Sequence, residues 1–221
     1  MDRQQAIADI DTIFAQYHTL LPEDQDLLDE MSDGKLYEVF VLATLIERLT
    51  NAGFHIVFRG QDLKFKAGPG MIKTSDPHFE ITDPSSGLSV LWIFVDIEFE
   101  TIGHHHANAF DNSRRHEVDI AVVSVNAGYP SYTEIALAVE CKTAANFKKS
   151  ILKEVLGVRR EMAFYSSQTQ PSLLSQINPA WSQVVMSSPP SEFWVAFTDP
   201  KGQNYEQGPA VFGITLMNLE P

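Results

Sequence analysis

The sequence has a single cysteine, few basic residues and no long apolar run. Cys141 is the only cysteine among 221 residues, which excludes a disulfide bond within the chain. No stretch of about 18 apolar residues occurs, and the N-terminus shows no signal-peptide pattern. We therefore expect a cytoplasmic protein that does not contact a membrane. Hydrophobic residues make up 44% of the chain, which is enough to form a sizeable core.

Basic charge is scarce overall, but it is concentrated in one region. The chain has 16 Lys and Arg against 29 Asp and Glu, a net charge of −13, which disfavours strong nonspecific binding to nucleic acid. Residues 23–33 contain several acids and no base, and they predict a docking segment for a protein partner. Residues 142–160 contain a single acid among a group of bases, and they predict a surface that contacts phosphates.

Hydrophobic periodicity predicts a mixture of helices and strands. Helices are expected over 2–19, 35–51 and 146–165, and a polar acidic link is expected after the first of them. Strands are expected over 54–59, 63–66, 78–82, 89–100, 118–125, 134–142, 193–199 and 211–216. Residues 103–113 and 166–190 are expected to be mostly loop. The order predicts one α/β (α+β) domain over 1–221, with a mixed central sheet flanked by helices.

Two apolar strands carry the charged residues of greatest interest. Pairing 118–125 with 134–142 about the midpoint of their connecting loop places Asp119 opposite Glu140. Lys142 lies two residues after Glu140 and therefore shares its face of the strand. Two carboxylates at close range repel unless a cation lies between them, and Mg²⁺ prefers oxygen ligands of this kind. A Glu-x-Lys sequence alone is more often a solvated ion pair, so Asp119 is essential to the argument.

Glu38 is a further acidic candidate, on the helix over 35–51. At about 100° per residue, Leu42, Leu45 and Leu49 fall close to Glu38 on the most apolar face of this helix. An ionised carboxylate in such a position needs a metal ion or a basic partner such as Lys35 or Arg48.

The spacing Asp-x20-Glu-x-Lys, with an apolar run before each acid, resembles the PD-(D/E)xK (restriction-endonuclease-like) nuclease superfamily. Val118 stands where the motif's name has proline. The resemblance implies a nuclease core over about 35–199, preceded by an N-terminal helix and acidic segment over 1–34 and supplemented by additional strands. It implies that Mg²⁺, with Mn²⁺ as a substitute, is held by Asp119, Glu140, Glu38 and the backbone carbonyl of Cys141. Lys142 would orient or deprotonate the attacking water.

The expected function is a Mg²⁺-dependent endonuclease that hydrolyses DNA phosphodiester bonds in restriction or anti-phage defence. Cutting both strands needs two active centres, which favours a homodimer. The basic residues directly after the motif are expected to bind DNA: Lys148, Lys149, Lys153, Arg159 and Arg160. The alternative is that they form an ordinary solvated helix face. A catalytically inactive nuclease-fold module that binds protein or nucleic acid is the alternative function.

Overall fold

A computed structural model describes residues 1–18, 22–66, 68–83, 88–143 and 147–221. At residues 22 and 23 it describes the backbone alone. The α-helices are α1 (Arg3–Phe14), α2 (Pro22–Glu30), α3 (Asp33–Asn51), α4 (Ile102–Ala107), α5 (Lys149–Met162), α6 (Leu173–Ile177) and α7 (Gln207–Ala210). The strands are β1 (His55–Arg59), β2 (His78–Thr82), β3 (Ser89–Glu100), β4 (Arg115–Val123), β5 (Ile135–Lys142), β6 (Phe164–Pro171), β7 (Val184–Ser188), β8 (Glu192–Phe197) and β9 (Ile214–Asn218).

A seven-stranded mixed sheet forms the centre of the fold. Its strand order is β1-β2-β3-β4-β5-β8-β9. Neighbouring strands are antiparallel from β1 to β5, whereas β5 pairs with β8, and β8 with β9, in parallel. A mixed α/β fold with a mostly antiparallel sheet and flanking helices is therefore confirmed. A restriction-endonuclease-like core remains a prediction.

Two apolar cores cover the two faces of this sheet. The first, here called the α3-side core, packs the sheet against α1 and α3 and includes Leu45, Ile120 and Val139. The second, the α5-side core, packs the opposite face against α5 and includes Val155 and Ala138. Because β4 and β5 are covered on both faces, most of their residues are apolar, as their sequence runs predicted.

Helix α3 has clear start and stop signals. The Ser32 hydroxyl caps its N-terminus by accepting a hydrogen bond from the Lys35 backbone N–H. The chain leaves the helix at Gly53, whose φ of +89° favours a residue without a side chain. The helix lies on the α3-side core through one apolar face, and this packing fixes the positions of Lys35 and Glu38 near the sheet.

Several local predictions were wrong. The expected acidic link contains α2, where Leu28 is fully buried and the Asp24 carboxylate accepts a hydrogen bond from the Leu63 backbone N–H. The expected loop over 166–190 contains most of β6, α6 and β7, because β6 and β7 form a separate two-stranded sheet whose polar sequence lacks strong periodicity. The expected strand over 63–66 does not form. The predicted start of the third helix at Asn146 lies outside the described residues.

The sequence predicted no contact with a membrane, and the structure bears on one part of this prediction, the membrane-spanning helix. Among the described residues, none of the helices combines the length and apolar character needed to cross a bilayer.

Candidate metal centre

Three acidic residues form a row across the central strands. Ile120 of β4 pairs with Val139 of β5, so the preceding residue, Asp119, lies opposite Glu140 as the sequence predicted. On the other side of β4, the pairs Val95–Ile120 and Ile97–Val118 enclose Asp96, which therefore also lies opposite Asp119. The sheet thus aligns Asp96, Asp119 and Glu140 on β3, β4 and β5.

The backbone is distorted at Asp96. Its φ is +48°, which is uncommon for a residue with a side chain and more readily tolerated by aspartate than by branched residues. Val95 belongs to the α3-side core but Ile97 belongs to the α5-side core, so the usual alternation of faces is interrupted at this residue. The Asp96 carboxylate reaches Lys35 of α3. Backbone distortion of this kind within a strand is often found at functional sites.

Glu38, Asp96 and Asp119 form the tightest acidic group among the described residues. One carboxylate oxygen from each lies within 4.8 Å of the other two. The Lys35 ammonium contacts the Asp96 carboxylate and lies 2.8 Å from Glu38 Oε2. Glu38 therefore has the basic partner considered from the sequence and also belongs to a possible metal-binding group. We call Glu38, Asp96 and Asp119 the acidic triad.

Asp96 was missed in the sequence analysis. It interrupts an otherwise apolar and aromatic run in β3, where it is flanked by Val95 and Ile97. That interruption was the available signal, but its significance depends on the pairing of β3 with β4, which periodicity does not specify.

Glu140 and Lys142 lie beside Asp119 of the triad on the neighbouring strand β5. The Lys142 ammonium lies 3.1 Å from Glu140 Oε2 and 2.9 Å from Glu154 Oε1 of α5. Glu140 is not part of the triad, so the predicted ligand set of Asp119, Glu140 and Glu38 is only partly brought together. Asp119 links the two groups, because its charge acts on both Glu38 and Glu140.

The carboxylates carry more negative charge than the nearby lysines neutralise. Burial raises the pKa of Glu38 to about 7, even though Lys35 favours the ionised form. Burial and then the charge of Asp119 raise the pKa of Glu140 to about 7. Burial also raises the pKa of Asp119, against the opposing effects of the Cys141 N–H and Lys142. A divalent cation would relieve this repulsion, so the acidic triad could hold a metal ion.

Cys141 contributes its backbone to the site. Its N–H donates a hydrogen bond of 2.6 Å to Asp119 Oδ2, which orients that carboxylate. Its side chain packs against the α3-side core, and burial raises the pKa of its thiol, so it is unsuited to act as a nucleophile at neutral pH. Metal binding by the Cys141 carbonyl remains a prediction.

Lys142 is a cation in this arrangement. Burial lowers the pKa of Lys142, but Glu140 and Glu154 outweigh that effect and raise it overall. In this state Lys142 is suited to orient water and to offset negative charge. Deprotonation of the attacking water by Lys142 remains a prediction.

The basic residues after the motif differ in exposure. Arg159 is buried, and its guanidinium donates to the Phe212 carbonyl, the Ser191 hydroxyl and the Ser191 carbonyl. Its predicted role in DNA binding is wrong, because all three guanidinium nitrogens are engaged within the fold. The remaining predicted contacts are exposed, and none has a carboxylate partner within the described ranges: Lys148, Lys149, Lys153 and Arg160.

Comparisons with known proteins were made at three levels. Neither a protein-family model, nor a curated protein, nor a solved structure matched this chain.

Proposed function

We propose that this chain is a Mg²⁺-dependent nuclease that hydrolyses phosphodiester bonds in DNA. The observation that supports the proposal is the convergence of the acidic triad with Glu140 at Asp119, while Lys142 pairs with Glu140. Hydrolysis of a phosphodiester needs a cation at the phosphate and a positioned water, and this combination of groups can provide both. A setting in restriction or anti-phage defence rests on the family resemblance alone.

The acidic triad is the proposed metal-binding group. Glu38, Asp96 and Asp119 would hold the ion, and Glu140 would complete its surroundings from the neighbouring strand. A bound Mg²⁺ would polarise the phosphate and lower the pKa of a bound water. Hydrogen bonding from the Cys141 N–H keeps the Asp119 carboxylate directed toward the group.

The two lysines have different tasks in this proposal. Lys142 lies on the α5 side of the sheet, where its ammonium would face the scissile phosphate and stabilise developing negative charge. Lys35 lies among the triad carboxylates and partly neutralises them. Binding of a divalent ion therefore requires Lys35 to loosen its contacts with Glu38 and Asp96.

Cleavage assays with site variants test the proposal. Supercoiled plasmid, linear duplex, single-stranded DNA and RNA would be incubated with the protein in Mg²⁺ or Mn²⁺, and in EDTA. We expect cleavage only with the metal, and a loss of at least about 100-fold in Asp119→Asn, Asp96→Asn and Lys142→Met. Glu80→Gln is the matched control, because Glu80 pairs with Arg59 in the same sheet but lies outside the site.

Two results would contradict parts of the proposal. Cleavage that survives Asp119→Asn and Lys142→Met would show that the active site lies elsewhere. Absence of cleavage on all four substrates, by protein that demonstrably binds Mn²⁺, would favour the inactive binding module. A homodimer and a protein partner at residues 23–33 also remain predictions, and analytical ultracentrifugation would test the first.

A further inference from the structure

An exposed aromatic cavity lies at the C-terminal end of α5. Its volume is about 360 Å³, and its lining includes Leu156, Arg160, Phe164, Tyr165 and Phe212. This size falls within the range of small-ligand sites. Phe164, Tyr165 and Phe212 remain 39%, 49% and 45% exposed, although aromatic rings are normally covered in a folded domain.

A row of basic residues on α5 extends to this cavity. Lys149, Lys153 and Arg160 are spaced by four and seven residues, so they lie within about 40° of one another on one helix face. We call these three residues the α5 stripe. In the part of the chain that the structure describes, none of them pairs with a carboxylate. The stripe is thus an uncompensated cationic surface on a protein of net charge −13.

The two acidic residues of α5 contact residues of other elements. Glu154 pairs with Lys142, and Glu161 lies 3.1 Å from a ring nitrogen of His116 on β4. Among the described residues, neither carboxylate pairs with a residue of the stripe, so the stripe can attract an anion. The stripe lies close to the candidate metal centre. Glu154 adjoins that centre, and Arg160 lies six residues, or about 9 Å, farther along the helix.

Arg160 joins the charged stripe to the aromatic cavity. Its guanidinium carbon lies 5.7 Å from the centre of the Phe164 ring, and the His106 ring forms an edge-on pair with Phe164 at 5.6 Å between centroids. Tyr165 and Phe212 form an edge-on pair with centroids 6.0 Å apart. A flat aromatic surface beside a guanidinium favours an unpaired nucleobase, whose face can stack while its phosphate meets the cation.

From this arrangement we infer that the α5 stripe and the aromatic cavity bind a short single-stranded nucleic acid, with one base against Phe164 and Tyr165. The inference rests on the proposed function, since it names the substrate class of the same site. Bases of an intact duplex are stacked and cannot enter such a cavity. The 9 Å between Glu154 and Arg160 corresponds to two or three nucleotides at about 3.4 Å each along a strand.

The test measures binding without cleavage. Fluorescence anisotropy with labelled 12-nucleotide single-stranded DNA, the same sequence as RNA, and a duplex would be recorded with wild-type protein in EDTA. We expect single strands to bind at least about tenfold more tightly than the duplex. Three phosphate contacts predict a slope of about −2 in a plot of log K against log salt concentration.

Substitution of Phe164 separates stacking from packing. Phe164→Leu keeps an apolar side chain but removes the aromatic face, and we expect about tenfold weaker single-strand binding. Lys153→Ala should weaken binding and reduce the salt slope by about 0.7. Phe110→Leu is the matched control, because Phe110 is 71% exposed and does not line the cavity. It should bind like wild type.

Each outcome bears on one proposal. Equal binding of duplex and single strands, or unchanged binding in Phe164→Leu, would overturn the inference. Loss of a dimer in Phe164→Leu, measured by ultracentrifugation, would assign the aromatic surface to self-association and would also overturn it. Single-strand binding that depends on Phe164, without cleavage of any substrate, would support the inference and contradict the nuclease proposal. The affinities for the labelled single-stranded DNA and for the RNA of the same sequence show which of the two the protein prefers.

Discussion

Burial of Glu140, together with the nearby charge of Asp119, should make the metal-free protein less stable as pH rises. The pKa of Glu140 is about 7 in the folded chain, against an ordinary value of 4.5 for a glutamate. Between these pH values the folded chain binds more protons than the unfolded chain. Stability contributed by protonated Glu140 is therefore fully present below about pH 4.5, and it is lost as pH rises to about 7.

The size of the effect follows from the shift in pKa. A difference of about 2.5 units, at about 1.4 kcal/mol per unit, corresponds to about 3 kcal/mol. Most of this loss, about 2–3 kcal/mol, falls between pH 5 and pH 8. Glu140→Gln removes the titrating group. Between pH 5 and pH 8, the free energy of unfolding of this variant should therefore decrease by about 2–3 kcal/mol less than that of the wild-type protein. Because Asp119 and Glu140 titrate together, the substitution should also ease ionisation of Asp119.

Urea unfolding followed by circular dichroism, in EDTA at pH 5, 6, 7 and 8, measures this difference. Glu154→Gln is the matched control. The Glu154 carboxylate also pairs with Lys142, but its side chain is 59% exposed. The control should follow the wild-type pH dependence within about 0.5 kcal/mol. Addition of Mn²⁺ at pH 8 should raise the free energy of unfolding of the wild-type protein, and it should raise that of Glu140→Gln by a smaller amount. Equal pH slopes for wild type and Glu140→Gln would refute the argument that burial and Asp119 raise the pKa of Glu140 in the folded protein.

Three further predictions concern the acidic triad and the buried arginine of α5. Asp96→Asn tolerates the positive φ but removes a ligand charge, so calorimetry should show at least about tenfold weaker Mn²⁺ binding with little change in unfolding free energy. Lys35→Met removes the competing ammonium, so Mn²⁺ should bind about tenfold more tightly at pH 8; unchanged or weaker binding would show that Lys35 does not obstruct the ion. Arg159→Met should lower the free energy of unfolding by about 3 kcal/mol, because three internal hydrogen bonds are lost. Arg160→Met, on the exposed side, should change it by less than about 0.5 kcal/mol in the same assay.

The sequence by itself determined the central hairpin and the residues it brings together. The apolar runs on both sides of the Gly128 turn predicted β4 and β5 as covered strands, and pairing them about the midpoint of their connecting loop placed Asp119 opposite Glu140. Helix α3 was equally evident, because its apolar period and its Gly53 stop are local signals. Local patterns of this kind depend only on neighbouring residues, so they can be read without knowledge of the fold.

Tertiary structure alone decided which acids form the triad. Asp96 joins Asp119 because β3 pairs with β4 in one particular register and because the backbone turns at a positive φ. Arg159 and Arg160 are adjacent in sequence, yet the helix turns Arg159 into the fold toward Ser191 and leaves Arg160 at the surface beside Phe164. Pairing between distant strands and the orientation of a helix against its sheet depend on contacts far apart in the chain, and local periodicity carries no information about them.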